Sequence, residues 1–97
     1  MVIRIVKMSF AKENEKMFRD LFFEHYHDIR NVEGCTQLDL LRHENYGSVI
    51  YFTYSHWEHE DYLEKYKDSE LFSYIWPRTK ALFNAKPEAW TTHKETP

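Results

Sequence analysis

From Val2 to Phe10 the chain alternates strictly. Val2, Arg4, Val6, Met8 and Phe10 fall on one side, and Ile3, Ile5, Lys7 and Ser9 on the other. Both sets carry apolar side chains, so the strand this predicts is covered on both faces. From about Glu13 the period becomes helical. Phe18, Phe22, His25, Ile29 and Val32 recur at spacings of four, three, four and three, one stripe along a helix. Leu21 and Tyr26 widen that stripe, and Lys16, Arg19, Asp20 and Glu24 lie mostly off it. Gly34 stands where such a helix stops.

Cys35 to His43 predicts a second strand, with Leu38 and Leu40 on one face. Glu44–Gly47 reads as a turn leading into a third strand, Ser48 to Ser55, rich in Val, Ile, Tyr and Phe. Together they predict an antiparallel hairpin. Ser55, with Glu58 three residues on, reads as a capping box for a helix from Trp57 to about Lys67. Ser69 opens a further helical stretch to Phe83, in which Pro77 is expected to kink or split the helix. Pro87 then leads a short last strand, Glu88 to His93, carrying Trp90. The order is β-α-β-β-α-β over residues 1–97 as one domain. That is an α+β, ferredoxin-like plait with a four-stranded antiparallel sheet. Helices cover only one face of such a sheet, yet here both faces are apolar. The bare face predicts a second copy packed against it, a homodimer.

Composition sharpens this picture. Of 97 residues, 18% are aromatic, a load that serves a small core, an association face and a pocket for a flat ligand at once. The net charge of −3 and the absence of a basic run argue against nucleic acid. No apolar run approaches the roughly 20 residues needed to cross a bilayer. The first residues alternate like a strand rather than forming the apolar block of a signal peptide. Cys35 is the single cysteine, so no internal disulfide is possible. These features point to a cytoplasmic protein with no membrane partner.

The stretch Trp57 to Phe72 reads W-E-H-E-D-Y-L-E-K-Y-K-D-S-E-L-F. Its Trp57, Ser69 and Phe72, together with the E-G-C of Glu33 to Cys35, resemble the antibiotic biosynthesis monooxygenase family of dimeric α/β-barrel proteins. The resemblance implies a small homodimer with a pocket between sheet and helices in each subunit. It also implies an oxygenase of quinol- or polyketide-like molecules working without metal, flavin or other cofactor. The sequence departs from the family pattern at Tyr66, where a His is usual nine residues after the Trp. The haem-degrading branch uses an Asn on the first strand, a Trp in the second helix and an axial His in the third. Here the first strand has no Asn, and Tyr66 and Trp76 occupy the other two positions. Indole cannot ligate iron, so the comparison argues against haem degradation.

Two residues are candidates for catalysis. His25 lies on the apolar stripe and reads either as a core or dimer-face histidine or as a pocket base, since imidazole exchanges protons near neutral pH. Tyr66 offers a phenolic handle in a ring-lined pocket, or merely fills it. Trp76, Trp57, Tyr51 and Tyr54 are candidate substrate contacts. Trp57 reads first as an anchor of the helix on the sheet, and Tyr51 and Tyr54 point to opposite faces. Arg78 and Lys80 read as a solvated surface or as steering charges for an anionic ligand. His56, His59 and Glu60 do not converge as zinc ligands do, so no metal is expected. A lone strand thiol such as Cys35 is usually inert, and two glycines exclude a dinucleotide-binding turn. The expectation is a cofactor-independent monooxygenase of a small phenolic or quinol-like molecule. The alternative is a non-catalytic, ligand-binding or stress-associated homodimer of the same fold.

Overall fold

A computed structural model describes residues 1–97. The N-terminal alternation becomes strand β1, Val2–Ala11. A short 3₁₀ turn joins it to helix α1, Glu15–Arg30. The hairpin strands are β2, Cys35–Asn45, and β3, Ser48–Trp57. Two helices follow, α2 over Glu60–Lys67 and α3 over Glu70–Lys80, before β4, Glu88–His93. The strands form one sheet in the order β2-β3-β1-β4, every neighbour antiparallel. This is the predicted α+β, ferredoxin-like plait with an open sheet.

Register explains which side chains meet. Val2, Met8 and Phe10 of β1 share a face with Val49, Tyr51 and Trp57 of β3, and all six are buried under the helices. Phe18, Phe22 and Ile29 are the buried residues of α1. The Phe10 and Phe18 rings stack at 4.4 Å, and Tyr51 sits 5.0 Å from Phe18. Each fully buried side chain of this size contributes roughly 1.5–3 kcal/mol, so this ring cluster is the main cohesive element between α1 and the sheet. Its polar edge is tied as well. Arg42 of β2 and the Tyr51 hydroxyl both donate to the Glu15 carboxylate at the start of α1. A negative charge there also complements the helix dipole.

Three local expectations are corrected. The expected capping box at Ser55 is absent, because pairing of β3 with β1 continues to Val2–Trp57 and holds both Ser55 and Trp57 in the strand. Helix α2 therefore begins later, with His59 as its cap accepting from the Asp61 amide. Pro77 does not split its helix, and α3 runs unbroken through it. Proline removes a hydrogen bond to the carbonyl four residues back, here on Ser73. Pro77 and Ser73 are both exposed, a setting in which solvent can satisfy a freed carbonyl. Finally, α3 ends at Lys80 rather than Phe83, and Phe83 instead bridges to Phe10 of β1.

The hairpin turn is tighter than expected, with Tyr46 and Gly47 between the two strands at positive φ. On the far side of the sheet no helix packs. Ile3 and Ile5 of β1 lie beside Tyr54 of β3 and Trp90 of β4 there. Trp90 remains 45% exposed and Leu41 of β2 51%.

Candidate functional site

Between the helix-side face of the sheet and the three helices lies a partly enclosed cavity of about 130 Å³, lined mainly by apolar side chains. An apolar cavity of roughly 150 Å³ is large enough to hold benzene, so this one is of the scale of a single aromatic ring. Its wall on the α2–α3 side is a continuous run of rings. Trp57, the last residue of β3, is buried, and its indole Nε1 donates to Ser55 Oγ at 3.0 Å. Tyr66 of α2 stacks on Trp57 at 5.4 Å. Phe72 of α3 meets Tyr66 edge-on at 5.3 Å, and Trp76 stacks on Phe72 at 5.8 Å. Ser69 sets the angle between the helices. Its Oγ accepts from the Phe72 amide and donates to the Tyr66 carbonyl, so one hydroxyl caps α3 and closes α2.

The polar groups of the lining are few. Arg4 enters from β1, Thr53 and Ser55 from β3, Lys67 from α2 and Thr79 from α3. Thr79 is satisfied by donating to the Ile75 carbonyl, and Lys67 pairs with Glu64 at 3.0 Å. Burial pushes the Tyr66 phenol up to about 12, with the Cys35 thiol adding a smaller push in the same direction. Tyr66 therefore carries its proton throughout the neutral range and meets a ligand as a donor. Burial likewise raises the Cys35 thiol, outweighing nearby Arg30, so it stays protonated and is a poor nucleophile.

The structure gathers some of the sequence candidates and separates others. Tyr66, Trp76 and Trp57 all line the cavity. Tyr51 is on the helix side but outside the lining, its hydroxyl committed to Glu15. Tyr54 is on the opposite, uncovered face beside His56, 5.2 Å between ring centres. His25 is also outside the lining. It sits edge-on to Tyr74 of α3 at 5.3 Å, 3.7 Å from Asp28, and both its ring nitrogens lack hydrogen-bond partners. Arg78 stacks over Tyr74 at 3.7 Å, and Lys80 lies 5.9 Å from the centre of the Trp76 ring. No three His, Cys, Asp or Glu side chains gather as a metal cluster. Arg4 and Lys67 were not singled out by sequence. For Arg4 the signal was present, a lone arginine at an inward position of an otherwise apolar series.

Residues 1–75 match the family model for antibiotic biosynthesis monooxygenase. The chain belongs to that family. Solved structures of similar shape support the same fold across nearly the whole chain. A conserved protein from Methanosarcina mazei Go1 is 22% identical, with a TM-score of 0.82 over 98% of this chain and 94% of that one. An antibiotic biosynthesis monooxygenase is 16% identical, TM-score 0.84, covering 99% and 100%. Rv0793 from Mycobacterium tuberculosis is 14% identical, TM-score 0.82, covering 99% and 96%. No curated protein matches this sequence. At such identities the likeness establishes shape and leaves the chemistry to the residues of this chain. In this member of the family, the residues that carried the sequence resemblance have a physical role. Trp57 and Phe72 hold Tyr66 between them, Ser69 spaces the helices, and Gly34 leaves room for the Tyr62 ring.

Proposed function

We propose that this protein is a cofactor-independent monooxygenase of a small phenolic or quinol-like molecule. The observation that carries this reading is the ring-sized apolar cavity between helices and sheet, walled by Trp57, Tyr66 and Trp76. A flat substrate stacks among these rings. Its hydroxyl proton leaves, and the resulting anion transfers one electron to dioxygen. The radical pair then collapses into a carbon-bound peroxide anion, which takes up a proton. Its O–O bond breaks as the hydrogen on that carbon leaves, so one oxygen stays as a quinone carbonyl and the other departs as water. Exclusion of water protects both radicals during that interval. Tyr66 donates a hydrogen bond to the substrate oxygen as charge develops on it, a role for which its retained proton suits it. His25 packs on Tyr74 and is not among the lining residues, so the reading rests on Tyr66.

The same reading includes a homodimer. The uncovered sheet face carries Ile3, Ile5, Leu41, Phe52, Tyr54 and Trp90, an apolar patch of the kind that marks association. A second copy presenting its own uncovered face buries both. Sedimentation at micromolar concentration is expected to show the dimer, and a stable lone chain would remove this part.

Oxygen uptake on a panel of small quinols tests the function. Turnover is expected with at least one, and Tyr66→Phe is expected to lower kcat roughly 100-fold, the usual cost of one donor to a developing oxyanion. Binding without oxygen uptake across the panel would refute the oxygenase reading and leave a ligand-binding dimer.

A further inference from the structure

We propose that the cavity takes its single-ring phenol as the oxyanion, held by the guanidinium of Arg4. This deepens the oxygenase reading, because the deprotonated phenol is the species that gives an electron to dioxygen.

Arg4 projects from β1 into the helix-side layer, in the series of Val2, Val6, Met8 and Phe10. It is half-buried, and its Nη1 donates to Thr91 Oγ1 of β4 at 2.8 Å. That is one of five N–H donors, and guanidinium presents the rest as a planar fork suited to oxyanions. Burial holds the Arg4 guanidinium below its ordinary value, and nearby Glu64 only partly offsets this. Glu64 instead forms its ion pair with Lys67, and no carboxylate reaches ion-pair distance of Arg4. A partly desolvated cation without a counterion is costly. A ligand anion supplies the missing charge and lowers that cost.

Glu64, whose charge reaches Arg4, lies outside the lining and is paired with Lys67, and no group lining the cavity carries a negative charge. On α2 the polar lining groups are Lys67, already neutralised by Glu64, and the protonated Tyr66, with the protonated Cys35 thiol behind it. The α1 and α3 walls are Phe18, Phe22, Ile29, Phe72, Ile75, Trp76 and Thr79, which carry no charge. Arg4 is thus the one cation of the lining free to meet a ligand. When a phenol binds, its O–H bond breaks, the proton passes to solvent, and the oxygen keeps the electron pair beside the guanidinium.

The probe is 4-nitrophenol, whose visible absorbance reports its own ionisation and whose binding needs no turnover. Bound to the wild type, it is expected to titrate at least about one unit below the free phenol, a tenfold or greater preference for the anion. Arg4→Gln is expected to abolish that shift while 4-nitroanisole, which cannot ionise, binds both proteins alike. Arg4→Lys is expected to retain part of it. An unchanged or upward shift in the wild type would overturn the proposal, as would failure of 4-nitrophenol to bind. So would a shift that survives Arg4→Gln but vanishes in Lys67→Gln. The anion preference stands or falls independently of oxygen uptake, so its outcome and that of the oxygenase reading are separable.

Discussion

Replacing Gly34 with alanine tests how the site's scaffold is held. Gly34 lies between α1 and β2 at φ +87°, a conformation that L side chains seldom adopt. A Cβ placed there would fall 2.3 Å from Cγ of Tyr62 and 2.4 Å from its Cβ. Tyr62 is in the first turn of α2, and those atoms are at the base of the ring, so no rotation of the ring relieves the overlap. The Gly34 carbonyl also accepts the Glu58 amide at 2.8 Å, which pins the approach to α2. The left-handed backbone costs roughly 1–2 kcal/mol for a residue with a Cβ. Forcing a methyl group into a packed contact adds roughly 1–3 kcal/mol. The expected loss is their sum, roughly 2–5 kcal/mol, out of the roughly 5–15 kcal/mol that a domain holds. Gly47 is the control, because its φ is +78° but nothing lies within 4 Å of a built Cβ. Gly47→Ala should therefore cost only the backbone share, roughly 1–2 kcal/mol. Urea unfolding followed by tryptophan fluorescence, at one fixed protein concentration, measures both. In a Tyr62→Gly background, which removes the Cβ together with the ring, Gly34→Ala should cost less, as expected for residues in contact. Equal losses at Gly34 and Gly47 would refute the contact argument, as would additivity with Tyr62→Gly.

Two further outcomes concern pH. Hydrogen bonds from Arg42 and then Tyr51 hold the Glu15 carboxyl at about 2, against an ordinary value of 4.5. Because the folded value is depressed, this stabilisation is complete above about 4.5 and fades as pH falls toward 2. Urea midpoints measured across that window should fall in the wild type and fall less in Glu15→Gln, whereas parallel curves would contradict the pairing. Tyr66 shows the opposite sign. Its phenol rises from 10.0 to about 12, so below 10 it costs nothing. Between those values the unfolded chain ionises first, and stability falls as pH rises. Tyr66→Phe should remove that alkaline slope, and an unchanged slope would place the hydroxyl in water rather than in the cavity wall.

The plait was legible because period alone distinguishes its elements. Alternation in Val2–Phe10 and the three-four spacing from Phe18 to Val32 report which residues share a face, and those faces decide the order of layers. The spacing of Trp57, Ser69 and Phe72 pointed to the family, and the stack around Tyr66 is its physical content. What period cannot report is the atom lying opposite. His25 falls on the apolar stripe, yet that stripe is wide enough to border α3 as well as the sheet, and His25 meets Tyr74 instead of the cavity. The end of β3 was hidden for a similar reason. Ser55 has the composition of a cap, but its cross-strand pairing with Arg4, and that of Trp57 with Val2, keeps it in the sheet. Pro77 reads as a break only until its exposed position is known. The alternation placed Arg4 on the same face as Val2, Val6, Met8 and Phe10, but only the fold shows a cavity there with Thr91 beside the guanidinium. A sequence sets the face each side chain takes along its own element. A cavity is the space left where several elements meet, so its size, its lining and the charge it leaves unpaired exist only in the folded chain.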